Sequence, residues 1–288
     1  MPMNKLFKAA LIAAGVCAAA AAAAVVLTAP GKADEEKKKL LYGRNVAHRG
    51  LHDDEKPENS VAAFRAAGEN GYGTELDARL TADGEVVVLH DDSTRRMCGT
   101  DLKASETSLA QLQTLRLRGT DEHIPTLREA LAAVDGRGPV ILELKTAGKN
   151  NPLLCEKVLS EIRLYGGPLC IESFDPRIVA WFRRSAPEIL RGQLTDSFRR
   201  LKEGISPPAA FAIANGLTNV IARPQFIAHG PGRKSPLIRL AEKLGAMDVY
   251  WTSHDYNTQW SHDAVIFEYY RPRPCFKKSA SAPTSENT

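Results

Sequence analysis

The sequence predicts an α/β fold, a TIM-type (β/α)8 barrel preceded by an N-terminal apolar helix. Three observations carry that expectation. Short apolar runs alternate with helical patterns through the whole body of the chain. No internal repeat or composition break divides that body, and its share of the 288 residues suits one barrel of about 250. The polar residues suited to chemistry fall at the ends of the runs that read as strands, where a parallel barrel gathers its loops.

Candidate strands are residues 45–47, 74–78, 86–90, 140–144, 169–173, 190–194, 219–222, 248–252 and 264–267. Candidate helices are 60–70, 108–115, 126–134, 152–165, 176–185 and 235–244. Strand followed by helix, repeated, implies βαβ units and a parallel sheet. Nine strands is one too many for the barrel. Residues 74–78 and 86–90 are joined only by a short stretch turning at Ala82-Asp83-Gly84, and parallel neighbours need a longer crossover. That pair reads as a hairpin or a distorted double strand, with the strand outside the barrel left open.

The body spans 42–276. Residues 30–41 read as a charged linker and 277–288 as a polar, disordered tail. Residues 1–29 are a signal peptide or a transmembrane anchor. Lys5 and Lys8 precede an uncharged run, 9–29, long enough to cross a bilayer. Gly31-Lys32-Ala33 would accept a cleavage, while the length of the run exceeds a usual signal-peptide core and favours the anchor. Either reading exports the body, giving a membrane-held extracytoplasmic domain or a secreted one. Lys37, Lys38 and Lys39 beyond the run count against export under the positive-inside rule and keep a cytoplasmic orientation as the lesser alternative.

The apolar fraction, 43%, supports a real core. The formal charge is +4, of which Lys5, Lys8 and Lys32 supply three before Asp34, leaving +1 for the rest. A nearly neutral body excludes nucleic-acid binding by phosphate neutralisation. The five cysteines form no Cys-x-x-Cys pair, which argues against a zinc site; Cys17 lies in the apolar N-terminal run, and the other four could pair but read rather as buried free thiols.

The first strand ends in His48-Arg49-Gly50, the second carries Glu75-x-Asp77, the third ends in His90-Asp91 and a later one carries Glu143-x-Lys145. Residues two apart on a strand share a face, so Glu75 and Asp77 point one way, as do Glu143 and Lys145. Three carboxylates brought together repel unless a cation joins them, and oxygen donors suit a hard ion such as Ca²⁺ or Mg²⁺. A single strand acid more often faces solvent or a structural ion pair. Two on one face of an apolar strand, flanked by strand-end histidines, read as a site. His48 and His90 suit acid–base work near neutral pH. The histidines at 52, 123, 229 and 262 read as ordinary surface or core residues. Arg49 and Lys145 suit a phosphate group, against a reading as salt bridges to the nearby acids.

These residues, in this order, resemble the glycerophosphodiester phosphodiesterase family. The resemblance runs through Ala47-His48-Arg49-Gly50, Pro57-Glu58-Asn59-Ser60, Glu75-x-Asp77, Thr81-x-Asp83-Gly84, Val88-x-His90-Asp91, Ile124-Pro125-Thr126-Leu127, Glu143-x-Lys145, Ser173-Phe174 and Trp251-Thr252. It implies a TIM barrel that hydrolyses glycerophosphodiesters to glycerol phosphate and an alcohol. It implies that His48 and His90 are the acid–base pair, and that Glu75, Asp77 and Glu143 hold one divalent cation, Ca²⁺ or Mg²⁺. Arg49 and Lys145 would contact phosphate, Glu58 and Asn59 support the site, and Phe174 and Trp251 line the pocket. Ser253-His254 and the stretch from Asp263 to Glu268 depart from the family pattern, which puts the alcohol portion in doubt. A lysophospholipid, a phosphoinositide or a teichoic-acid-like polymer is therefore an alternative substrate, and a non-catalytic envelope-binding barrel is the reading from another class. The expected partners are a small-molecule or lipid-derived diester and a membrane.

Overall fold

The computed structural model describes residues 5–146 and 151–278. In chain order the strands are β1 (Arg44–Ala47), β2 (Gly73–Leu80), β3 (Val86–Val88), β4 (Val140–Leu144), β5 (Leu169–Ser173), β6 (Leu190–Thr195), β7 (Phe226–His229), β8 (Met247–Ser253) and β9 (Ala264–Phe267). All but β3 pair in parallel around a ring, which β9 closes on β1 and β1 on β2. The surplus strand is β3. It pairs antiparallel with the far half of β2, Ala78 opposite Val88 and Leu80 opposite Val86. β2 is long enough to serve twice: its first half is a barrel stave against β1 and β4, and its second half is one arm of a hairpin. The turn between the arms is set by Thr81 and Glu85, whose backbone groups bond at 2.9 Å. Behind the hairpin, Val87, Leu89, Met97, Leu112, Leu117 and Ile124 form a small satellite core under the connection to β4.

Strand alternation divides the rest of the core. Leu76, Ala78, Leu142, Leu144 and Ile171 face outward and pack with Phe64, Leu131 and Phe182 of the surrounding helices. Val46, Ile141, Cys170, Leu194, Phe226 and Ile266 form the other layer, which fills the barrel. Glu75 and Asp77 lie on the opposite face of β2 from Leu76 and Ala78, so they point to the barrel axis. Local signals start the helices. Ser60, Thr126, Asp175 and Ser235 accept backbone N–H groups at the starts of Val61–Glu69, Leu127–Val134, Pro176–Ser185 and Pro236–Lys243.

Some expectations change. Residues 219–222, expected as a strand, form the helical turn Asn219–Ala222, and the stave is Phe226–His229. A four-residue apolar run has no periodicity to tell a strand from a buried helical turn. The helices Phe198–Gly204 and Pro207–Ala214 were not expected, and 108–115 shortens to Leu109–Leu112. All five cysteines are free, but only Cys155 and Cys170 are buried; Cys17 and Cys275 are exposed and Cys98 lies between. Of the expected tail, residues 279–288 lie outside the described residues.

The segment read as a linker touches the barrel at three points. Leu41 is buried, and Ala33 and Leu40 pack on the barrel core. The helix Lys5–Thr28 carries a stretch, Ala10–Thr28, of mean hydropathy 2.5, long and apolar enough to cross a membrane. Residues 10–27 are exposed apart from the half-buried Ala24, and Thr28 is buried. There Arg223 Nη1 donates to the carbonyls of Val26 and Ala29 at 3.0 and 2.9 Å, and Asn219 Nδ2 donates to Thr28 O at 3.0 Å. Gly31 N donates to Pro224 O, and Gln225 Nε2 donates to Lys32 O. A Cβ at Gly31 would meet Arg223 O at 2.4 Å, so only glycine permits this approach.

Gly192 on β6 leaves no room for a side chain, because a Cβ there would lie 2.0 Å from the Phe226 ring. Gly192→Val is expected to destabilise the fold by about 1–3 kcal/mol through overpacking, read as a lower urea midpoint.

Candidate active site

β2 and β4 bring the acids together by register. Asp77 stands opposite Glu143, and Glu143 opposite Glu172 of β5. One carboxylate oxygen each from Glu75, Asp77 and Glu143 lies within 4.8 Å of the others, and all three residues are buried. Glu172, which the sequence reading did not single out, adds a fourth buried acid, and its Oε2 has no hydrogen-bond partner. Its signal was present: Glu172 stands one residue before Ser173-Phe174, on the same face of β5 as Cys170.

Cations from neighbouring strand ends answer part of this charge. Lys145 Nζ lies 3.0 Å from Asp77 Oδ1 and 2.7 Å from Glu143 Oε2. Arg49 Nε lies 3.6 Å from Asp77 Oδ2, and its Nη1 donates to Glu58 Oε1 at 2.8 Å. Asn59 Nδ2 donates to Asp77 Oδ2 at 2.7 Å. Arg49 and Asn59 both adopt positive φ, 54° and 57°, a cost borne where the surroundings over-determine the backbone. That conformation aims the Arg49 backbone N–H at Glu75 Oε2, 2.9 Å away.

The titration of the cluster follows from this layout. Burial, and then the charges of Asp77, Glu143 and Glu172, push Glu75 well above the ordinary carboxylate range. Burial also raises Glu143 and Glu172. Burial would raise Asp77 too, but Lys145, His90 and Arg49 outweigh it and hold Asp77 low. Four acids thus share two close cations, Lys145 and Arg49, and the raised carboxyls answer the imbalance by holding protons. The donors of the cluster are all carboxylate oxygens, so a hard divalent cation fits it.

Each candidate histidine is backed by a carboxylate. His90 Nδ1 lies 2.8 Å from Asp91 Oδ1. His48 Nδ1 lies 3.3 Å from Glu268 Oε2, while its Nε2 faces the cluster, 3.9 Å from Glu75 Oε2. Burial lowers His48, and burial pushes His90 down to about 4. Both rings are therefore neutral at neutral pH, each with a nitrogen able to accept a proton.

Glu268 was missed as a site residue, although it closes the stretch flagged as a departure from the family pattern. It follows β9, is buried, and gathers three histidines. His48 is joined by His52 Nε2 and His254 Nε2, each 3.4 Å from a Glu268 oxygen. His52, read as an ordinary histidine, thus belongs to the surround of His48. Arg96, also unpredicted, ties the backing of His90 to the partner of Arg49 by binding Glu58 through Nη1 and Nη2 at 2.8 and 2.7 Å and Asp91 through Nε. It comes from the satellite insertion, where nothing in the sequence marked it.

Phe174 and Trp251 pack edge to face with ring centres 5.9 Å apart. Phe174 also lines a cleft of about 570 Å³ that opens beside Glu143 and Lys145. Its further walls include Leu144, Leu201, Ile205 and Ile213, with Arg200 among them.

The chain matches the glycerophosphoryl diester phosphodiesterase family over residues 48–269. It belongs to that family. It is 31% identical over 161 residues to a glycerophosphodiester phosphodiesterase of Caldanaerobacter subterraneus subsp. tengcongensis, covering 52% of this chain and 65% of that protein. It is also 31% identical over 135 residues to a lysophospholipase D of Rattus norvegicus, covering 42% of this chain and 41% of that one. The chain thus spans less than two thirds of the length of these curated relatives. Among solved structures, a phosphodiesterase of Oleispira antarctica in complex with the product sn-glycerol-3-phosphate superposes with a TM-score of 0.65. The identity is 23%, and the match covers 78% of this chain and 93% of that one. A glycerophosphodiester phosphodiesterase of Thermotoga maritima gives 0.59 at 26% identity, covering 77% and 93%. These likenesses agree with the closed eight-stranded barrel.

Glu268 also has a pH signature. Burial would raise its carboxyl, but His48, His52 and His254 hold it far below its ordinary value of 4.5. A depressed carboxyl contributes stability that is full above its unfolded value and is lost as pH falls through and below it. Thermal melts taken from neutral to acid pH are expected to fall less steeply below about pH 4.5 in Glu268→Gln than in the wild type.

Proposed function

We propose that this protein hydrolyses glycerophosphodiesters to glycerol phosphate and an alcohol, from a membrane-held barrel outside the cytoplasm. The observation that carries the reading is the convergence of Glu75, Asp77 and Glu143 beside two carboxylate-backed histidines. A divalent cation held by Glu75, Asp77 and Glu143 would supply Lewis acidity, offsetting phosphate charge and lowering the pKa of the attacking hydroxyl.

The chain's own groups then have these tasks. Lys145 has three N–H donors and two carboxylate partners, which leaves one donor for a phosphate oxygen. Arg49 stands beside it, positioned by Glu58. One neutral imidazole takes the proton of the glycerol 2-hydroxyl as its oxygen bonds to phosphorus. The other imidazole, neutral in the free site, takes up a proton when the anionic diester binds beside it and its backing carboxylate, and gives that proton to the departing alkoxide as its P–O bond breaks, leaving a cyclic phosphate. Water then opens the ring with the two roles exchanged, yielding glycerol phosphate. Glu268 behind His48 and Asp91 behind His90 fix the ring tautomers and stabilise the imidazolium form. Glu58 and Asn59 hold Arg49 and Asp77 in place, while Phe174 and Trp251 wall the leaving-group side.

A specific observation favours a second reading of the substrate, in which the glycerol that keeps the phosphate carries an acyl chain. The cleft beside Glu143 and Lys145 is walled by Leu201, Ile205 and Ile213, which suits an aliphatic chain better than a small polar alcohol. The same chemistry would then release lysophosphatidate from a lysophospholipid. The name of the rat relative, lysophospholipase D, is in keeping with that product.

His48→Ala and His90→Ala are each expected to lower turnover of glycerophosphocholine by about 10²–10⁴; rates equal to wild type would remove the pair from the mechanism. Calorimetry with Ca²⁺ and Mg²⁺ should show one site that is lost in Glu75→Ala, and retained binding would take Glu75 out of the ligand set. Ile205→Asp should raise KM for lysophosphatidylcholine while leaving that for glycerophosphocholine unchanged; an equal effect on both would exclude the cleft as a chain site.

A further inference from the structure

The insertion between β6 and β7 does something that hydrolysis of a small diester does not require. It contains the helices Phe198–Gly204, Pro207–Ala214 and Asn219–Ala222. Phe198, Phe211, Val220 and Ile221 on it are all exposed. Phe198 and Phe211 contact each other in the open, with ring centres 6.4 Å apart, and Lys202 Nζ stands 5.8 Å from the Phe198 ring. From 198 to 223 the only charges are Arg199, Arg200, Lys202, Arg223 and one acid, Glu203. Exposed aromatic and branched apolar side chains interleaved with basic ones suit the boundary between lipid head groups and acyl chains.

The same insertion grips the apolar helix. Asn219 and Arg223 cap the carbonyls of Val26, Thr28 and Ala29, and the last turn of that helix packs on Asn219–Ala222. No flexible joint separates the two: Gly31 lies against the Arg223 carbonyl, and Lys32 is held by Gln225. A bilayer that contained the helix would end beside this insertion.

We propose that residues 198–223 form a bilayer-contact surface, which rests on anionic phospholipid and holds the barrel at a fixed attitude to the membrane. The proposal rests on the membrane reading of the N-terminal helix. It concerns lipid as the partner. An apolar surface awaiting another protein would lack both the basic excess and the physical continuity with a membrane-length helix.

The test uses the full chain in nanodiscs of phosphatidylglycerol and phosphatidylcholine carrying a diazirine phospholipid, with crosslinks mapped by peptide mass spectrometry. Crosslinks are expected in 10–28 and in 198–223, with the latter falling several-fold when phosphatidylcholine replaces phosphatidylglycerol. The double variant Phe211→Ser/Ile221→Ser should lose most crosslinks in 198–223 while keeping those in 10–28 and its turnover of soluble glycerophosphocholine. If circular dichroism shows that this variant is misfolded, Lys202→Glu provides the readout through loss of the phosphatidylglycerol dependence. Crosslinks confined to 10–28, or equal labelling of the face bearing Leu153 and Leu164, would overturn the proposal and leave the membrane reading standing. Absence of crosslinks in 10–28 would sink both.

Discussion

Four carboxylates, Glu75, Asp77, Glu143 and Glu172, face one another inside a barrel that offers them little water, and much of the structure answers that constraint. Charges this close in a low-dielectric interior repel strongly. The repulsion is met from outside the four: Lys145 lies between Asp77 and Glu143, Arg49 approaches from the end of β1, and Asn59 donates to Asp77. What these groups leave unneutralised is the charge that a hard cation would match. The strained backbone at Arg49 and Asn59 is intelligible in the same terms, because both side chains must reach a buried carboxylate from a loop.

The closed barrel makes this arrangement rigid. Parallel register puts Asp77 beside Glu143 and Glu143 beside Glu172 without any loop having to position them. The apolar layer that includes Val46, Ile141, Cys170, Phe226 and Ile266 fills the barrel interior. The histidines and their carboxylates sit on the more adaptable strand ends. Asp91, hydrogen-bonded to His90, does for its ring what a second layer of ligands does for a metal site, and Glu268 sets a carboxylate 3.3 Å from Nδ1 of His48.

The site was legible in the sequence where spacing alone carries geometry. Glu75 and Asp77, two apart on a strand, had to share a face, and so did Glu143 and Lys145. The strand-end positions of His48 and His90 implied one rim. Glu268 and Arg96 were not legible, because their roles arise from pairings across the barrel mouth between segments far apart in sequence. Ser253-His254 and Glu268 stood out only as departures from a family pattern; the structure gives His254 and Glu268 a shared contact. The surplus strand was legible as a problem but not as a solution. A short turn at Ala82-Asp83-Gly84 excluded a parallel crossover, yet only the pairing of β2 on both sides shows that β3 lies outside the ring.

By itself the sequence determined the alternation of strands and helices, the helix starts at Ser60, Thr126, Asp175 and Ser235, and the acid, histidine and basic residues at the strand ends. These follow from local periodicity, capping and turn chemistry, which act over a few residues. Tertiary structure alone decided that 226–229 rather than 219–222 is the sixth stave, and that Glu172 joins the acids. It also decided that His52, His48 and His254 share Glu268, and that Ala33, Leu40 and Leu41 pack on the barrel core. Each of those outcomes depends on which distant backbone groups and charges meet once the ring closes, and no local pattern encodes that meeting.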